Sequence, residues 1–281
     1  MTPPLSARTV QVSVLEDAPS DAWLIAPRPF GHWNQRMIRF EASGATALAE
    51  TCATNSQQHA YLICATGRPC LSWRVERSED AAPDWVWQIA DNSHTLADAG
   101  LQAQAAELCC GAPNERAALR AILETARGMF AYDHPEERFT AGHDTVPALC
   151  GTTKGSCVDI NTFVLAAART QGLTGQYIAG YWFGPGRTTT PDMHCWLAFH
   201  VDGQLEFWDV AHHLKWGVEG FGPGLNPAGG RRIGMSCGRG LTFDTPLGAI
   251  AISHFSEPFW VLPGGETRPA PIRIDLEEEP V

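Results

Sequence analysis

Gly155-Ser156-Cys157-Val158-Asp159-Ile160-Asn161-Thr162-Phe163-Val164-Leu165-Ala166-Ala167-Ala168, closing on Gly172, is the stretch from which the fold is read. Ile160, Phe163, Val164, Ala167 and Ala168 recur at i, i+3, i+4, i+7 and i+8, the spacing of one apolar helix face, and Gly172 supplies a stop. The pattern predicts a helix with Cys157 at its N-terminus. There, unpaired N–H groups and the helix dipole favour thiolate over a free thiol of ordinary pKa about 8.5. The backbone N–H of Cys157 is itself placed to face a developing oxyanion, and Lys154 upstream adds a positive potential that solvent screens.

Downstream, Gln176–Phe183, His194–Val201 and Gln204–Val210 read as three successive strands, the last two joined by Asp202-Gly203, a strong two-residue hairpin signal. With those two residues as the turn, Val201 faces Gln204, Trp196 faces Asp209 and His194 faces Ala211. His194 and Asp209 then share a sheet face as diagonal neighbours, about 7 to 8 Å apart, a gap an imidazole and a carboxylate can close. An Asp accepting from one ring nitrogen fixes the tautomer and leaves the other nitrogen to take a proton from a nucleophile. Cys157 supplies that nucleophile, and the three residues together describe acyl transfer through a thioester.

Gly155-Ser156-Cys157-Val158-Asp159 opening a helix that runs to Ala168-Arg169-Thr170-Gln171-Gly172, then Tyr177-Ile178-Ala179-Gly180-Tyr181, His194-Cys195-Trp196 and Trp208-Asp209 resemble, in that order, the transglutaminase-like superfamily of cysteine acyltransferases and proteases. The resemblance covers roughly residues 113–217. It implies an α+β fold with a papain-like, transglutaminase-type core, in which the Cys157 helix packs on an antiparallel sheet. It implies Cys157 as nucleophile, His194 as base and acid and Asp209 as orienter, with no cofactor and no metal. Nothing here resembles the calcium sites of the animal crosslinking enzymes. The family's usual His-Ala-Trp is His194-Cys195-Trp196, and strand alternation sends Cys195 to the face opposite His194, a structural position. Asn161, Tyr181 and Trp182 are unranked candidates for a side-chain oxyanion donor.

The expected activity is thiol-dependent cleavage of an amide in a peptide, protein or small acyl substrate. Amide formation with an amine acceptor, including transfer from a carrier-bound acyl thioester, is the alternative, because water and amine enter the same thioester. A catalytically inactive binding or scaffold domain that kept the fold is a third reading.

Outward from this core, β-branched and aromatic runs at Val10–Leu15, Arg36–Phe40, Gln58–Cys64 and Cys70–Glu76 predict a β-rich N-terminal domain over residues 1–92. Helical spacing at Thr95–Cys110 and Asn114–Tyr132 opens a catalytic domain over 93–281. Leu119, Ile122, Leu123, Ala126 and Phe130 form the second helix's apolar face. The acidic tail Asp275–Val281 reads as a solvated terminus.

Hydrophobic residues make up 44% and charged residues 18%, which excludes disorder for most of the chain. A formal charge of -11 disfavours a phosphate-backbone binder, so no nucleic-acid partner is expected. The start Met1–Arg8 lacks an apolar core after a basic opening, and no apolar run approaches the roughly 18 to 20 residues of a membrane span, so a cytoplasmic protein without membrane association is expected.

The nine cysteines, at 52, 64, 70, 109, 110, 150, 157, 195 and 237, form no CxxC knuckle and read as reduced thiols. Cys109-Cys110 reads as packing and Cys150 as a loop thiol or the partner of a regulatory disulfide. His212 and His213 invite a metal reading with Cys157, His194 and Cys195, yet adjacent histidines on a strand point to opposite faces. The Asn226–Arg232 segment reads equally as a solvated turn or as a loop whose arginines hold an acidic substrate group.

Overall fold

The computed structural model describes residues 7–31, 35–191, 193–224 and 226–278, so the readings of residues 1–6 and 279–281 lie outside the described residues. In chain order the elements begin with β1 (Arg8–Val14), β2 (Trp23–Pro27), β3 (Arg36–Cys52) and β4 (His59–Glu76). Then come α1 (Ala99–Leu108), α2 (Glu115–Met129), β5 (Phe130–Tyr132), β6 (Thr153–Gly155), α3 (Cys157–Thr170) and β7 (Thr174–Phe183). β8 (Thr189–Thr190), β9 (Met193–Val201), β10 (Gln204–Trp208) and α4 (Val210–Trp216) follow. The chain continues through β11 (Arg231–Cys237), β12 (Leu241–Thr245), β13 (Gly248–Ile252), β14 (Phe259–Val261), β15 (Thr267–Pro269) and β16 (Ile272–Glu278).

The fold is α+β, but the chain does not divide at residue 92. One unit gathers Met1–Gln88, Ala179–Met193 and Gly230–Val281, and the other gathers Ile89–Ile178 and His194–Gly229. The reason lies in strand pairing. β1 sits between β4 and β16, with Arg8 opposite Glu278 and Val14 opposite Ile272, so the far end of the chain belongs to the N-terminal sheet. Residues 275–278, expected as a solvated tail, are therefore ladder residues.

The first unit holds an eight-stranded antiparallel sheet in the order β15-β14-β2-β4-β1-β16-β8, with β3 paired to β4. Val10, Val12 and Val14 alternate into a core with Leu24, Ile63, Leu71, Trp73, Ile274 and Leu276, as a half-buried strand of period two requires. The two runs expected at Gln58–Cys64 and Cys70–Glu76 are one strand, and β3 matches its length because bulges around Met37/Arg39 and Ser43–Ala47 absorb the irregularity instead of ending the pairing. The second half of β7 lies beside β11. A Cβ added at Gly180 would collide with the Ile233 carbonyl, so only glycine permits that approach.

In the second unit, Asp98 and Asn114 cap α1 and α2 through the N–H groups of Leu101 and Ala117. Each cap contributes about 1 kcal/mol. Leu119, Ile122, Leu123 and Ala126 form the buried face of α2 as the spacing predicts, and burying each large apolar side chain contributes about 1.5–3 kcal/mol. α3 departs from the one-faced expectation. It is buried on all sides from Cys157 to Ala168, flanked by α1, α2 and α4. Among its polar residues, Thr162 Oγ1 donates to the Val158 carbonyl one turn back at 2.6 Å.

β9 pairs β10 and β7. The β9–β10 hairpin has the expected register, Val201 opposite Gln204, with Asp202 and Gly203 at φ 48° and 70°. Positive φ at both turn residues is what a type I′ turn requires and Asp-Gly tolerates. The hairpin is tied to the start of α2. Buried Glu206 accepts from Arg116 Nε at 2.5 Å and Trp208 Nε1 at 3.1 Å, and Glu115 Oε2 accepts the Asp202 N–H at 2.8 Å.

Candidate active site

Cys157 is the first residue of α3, and Ser156 before it is the cap. The Ser156 hydroxyl accepts from the Val158 N–H, while Asp159 accepts from the Ser156 N–H at 2.9 Å and from its hydroxyl at 2.8 Å, a closed capping box. Arg138 Nη1 reaches Asp159 at 3.0 Å and Ser156 Oγ at 3.2 Å. The buried Asp159 carboxylate thus has a cation as well as hydrogen bonds, which a buried charge requires.

Asp209 is not a strand residue. β10 ends at Trp208, and Asp209 is the N-cap of α4, one oxygen accepting the His212 N–H at 3.0 Å. The diagonal-neighbour geometry across the hairpin therefore does not arise, and Ala211 lies in the helix. The cap still delivers the carboxylate to His194, whose Nε2 stands 2.8 Å from Asp209 Oδ2. The same oxygen stands 3.2 Å from His212 Nδ1, and the two imidazoles stack with centroids 3.9 Å apart and planes 7° from parallel. His194, Asp209 and His212 are all buried.

With Nε2 committed to Asp209, the remaining nitrogen of His194 is open, and Cys157 lies within electrostatic reach of both His194 and Cys195. Burial disfavours charge on His194 and is the largest influence, yet the Asp209 carboxylate and then Cys157 outweigh it and hold the imidazole up at about 9. Cys157, only 4% exposed, moves opposite to the helix-terminus expectation: the neighbouring Cys195 thiol and then burial push it well above the ordinary thiol range, with His194 pulling down. The thiol and imidazole titrate as a pair.

Cys195 is therefore not a remote structural thiol. It faces α3, where Asn161 Nδ2 lies 3.0 Å from its carbonyl and 3.3 Å from its sulfur. That commits Asn161, and the Tyr181 hydroxyl donates to the Ser256 carbonyl at 2.6 Å within the first unit, so neither stands free as an oxyanion donor. Trp182 also belongs to the first unit. Lys154 is exposed and paired with Asp133 at 2.9 Å, and Arg231 is paired with Glu278 at 2.8 Å. All nine cysteines are free, Cys150 and Cys110 on the surface, and Cys109 ends α1 with its thiol 3.6 Å from the Ala118 carbonyl.

Of the residues considered for a metal, His194 and His212 cluster with Asp209, their ligand atoms within 4.8 Å of one another, while His213 packs edge-on against Phe221. An ion at the usual distance of about 2.1 Å from both nitrogens would lie well out of the plane of each parallel ring. The geometry suits hydrogen bonding. Arg138 is the site residue the sequence reading missed, and His212, read there only as a metal candidate, enters the site as a partner of Asp209 and His194. Asp209 followed by helix formers, with His212 three residues on, was the available signal, because that spacing is an N-cap and its bonded turn.

A thiol at the first turn of a central buried helix, set against an imidazole–carboxylate pair from an adjoining strand and helix cap, defines a cysteine-centred α+β fold of the papain-like kind. Residues 102–210 match the model of the Transglutaminase-like superfamily, to which that stretch is similar. No curated protein matches the chain in sequence. Among solved structures it is similar to a candidate cysteine protease from Cytophaga hutchinsonii, at 12% identity over 99% of this chain and 92% of that one, with a TM-score of 0.57, a likeness of fold. It is also matched to the periplasmic domain of TgpA from Pseudomonas aeruginosa, at 18% identity over 73% of this chain and 90% of that one, with a TM-score of 0.38. Among the described residues, no helix is long and apolar enough to cross a membrane.

Proposed function

We propose that the chain is a cysteine protease or amidase acting on a peptide, protein or small acyl substrate. Cys157 Sγ attacks the carbonyl carbon as His194 Nδ1 takes the thiol proton, and Asp209 stabilises the imidazolium. His194 returns the proton to the leaving amine as the C–N bond breaks, leaving a thioester on Cys157. Water, deprotonated by His194, then attacks the thioester carbon, and the C–S bond breaks to release the acid as Cys157 takes the proton back from His194. The observation that carries this reading is the 2.8 Å bond from His194 Nε2 to Asp209, which fixes the imidazole and leaves its other nitrogen open, with Cys157 within electrostatic reach. A second reading, release of the thioester to an amine with amide formation, is favoured by the burial of Cys157, which limits water. The nine free cysteines suit a reducing compartment, and the proposal keeps the protein in the cytoplasm.

The test is acyl trapping. The protein is mixed with p-nitrophenyl acetate and its intact mass and peptides are followed with and without hydroxylamine. An acetyl adduct confined to Cys157, absent in Cys157→Ala and retained in Cys195→Ala, is the expected result. The partition of that adduct between water and hydroxylamine separates hydrolase from acyltransferase. Acetylation spread evenly over the cysteines, or absent from Cys157, overturns both and leaves a binding domain.

A further inference from the structure

The geometry points to His212 as a positioning residue that holds the orientation and the proton affinity of His194 through a shared carboxylate and a ring stack. The inference rests on the proposed role of His194 as the base.

Three contacts converge on this residue. Its N–H is the one Asp209 Oδ1 caps, at 3.0 Å; its Nδ1 lies 3.2 Å from Asp209 Oδ2; and its ring covers the ring of His194 at 3.9 Å and 7°. It is 2% exposed. An N-cap aspartate ordinarily leaves its second oxygen to solvent or to one partner. Here that oxygen serves two imidazoles, so the charge that holds His194 is divided.

Two physical consequences follow. First, the stack closes one face of the His194 ring, while Trp196 on the same strand lies 6.2 Å away, so the imidazole resists swinging off the line between Asp209 and Cys157. Second, a neutral His212 donating from Nδ1 stabilises the Asp209 carboxylate and thereby weakens its pull on the His194 proton. A base that must release its proton to a leaving group works better when that pull is moderated, because the most effective pKa lies near the working pH. The titratable groups set against His194 are Cys157 from α3, Asp209 at the α4 cap and His212 from α4 itself.

The two contributions are separable by substitution. His212→Phe keeps a stacking ring and loses the Nδ1 donor; His212→Asn keeps a donor near the Nδ1 position and loses the ring; His212→Ala loses both. The experiment is NMR titration of the ¹⁵N-histidine-labelled protein, which reads the tautomer and midpoint of His194, alongside the pH profile of thioester formation on Cys157. In His212→Phe the His194 midpoint is expected to rise by about one pH unit, since Asp209 then serves a single imidazole. His212→Asn should keep the wild-type midpoint while slowing thioester formation by about tenfold, as expected for a mispositioned base. His212→Ala should show both changes. The proposal is overturned if His194 keeps its midpoint and tautomer in His212→Ala, or if all three variants lose rate in proportion to melting temperature with no movement of the midpoint. If wild-type Cys157 forms no thioester while the His194 midpoint still follows position 212, the positioning inference stands and the enzymatic reading fails.

Discussion

Asn161 and Cys195 are joined by a buried side-chain bridge, the Asn161 amide donating to the Cys195 carbonyl at 3.0 Å and lying 3.3 Å from its sulfur. Asn161 stands one turn along α3 from Cys157, and Cys195 stands next to His194 on β9. The bridge therefore sets the spacing between the thiol and the imidazole. Asn161→Leu keeps the approximate volume and leaves a buried carbonyl without this donor, which should cost about 1–3 kcal/mol. Chemical denaturation should report that loss, and thioester formation on Cys157 should slow beyond what the stability change accounts for. An unchanged rate at lowered stability would reduce the bridge to a packing contact.

The Cys195 thiol is the largest of the influences that hold the Cys157 proton. Cys195→Ala should lower the pH at which Cys157 reacts with iodoacetamide, read by peptide mapping across pH 5 to 10, an interval of roughly the usual thiol range. A Cys157 profile identical in the two proteins would show that burial alone raises it.

Asp209→Asn retains an N-cap residue, so α4 should persist while the imidazole loses its carboxylate. Thioester formation should fall by about 10²–10⁴-fold, the range seen when a triad carboxylate is made an amide. Stability should change with pH in a defined direction. Because His194 is held up at about 9 against an ordinary 6.5, its contribution is fully present below pH 6.5 and is lost as pH rises through 9. The wild type's advantage in melting temperature over Asp209→Asn should narrow across that interval. A constant difference would place the stabilising effect of Asp209 elsewhere than in His194.

Gly180→Ala places a Cβ against the Ile233 carbonyl, a backbone atom that a rotamer change cannot move aside. Destabilisation of about 1–3 kcal/mol or more is expected from such overpacking, measurable as a shift in the urea midpoint. A neutral substitution would mean that β7 and β11 separate at little cost.

The legible part of this protein was the placement of α3, with Cys157 at its start, and of the β9–β10 hairpin. Periodicity at Ile160, Phe163 and Val164 and the Asp202-Gly203 turn are local signals, and local signals survive in a single sequence. The position of Asp209 was misread because strand and helix both accept Val210-Ala211, and only the cap geometry distinguishes them. Cys195 and Asn161 acquire their roles from contacts between elements, which no spacing along the chain records. The sheet was read short at its C-terminal end for the same reason: β16 has the composition of an acidic tail and becomes a strand because β1 and β8 present edges to it.

That pairing also orders events during synthesis. With Arg8 opposite Glu278, β1 must wait for residues 272–278 to leave the ribosome before it acquires this neighbour, whereas Cys157, His194, Asp209 and His212 all lie in the unit formed by Ile89–Ile178 and His194–Gly229. The chemical centre can be complete on a nascent chain whose first strand still exposes one row of unpaired N–H and C=O groups, a sticky edge that chaperones or neighbouring nascent chains would meet first.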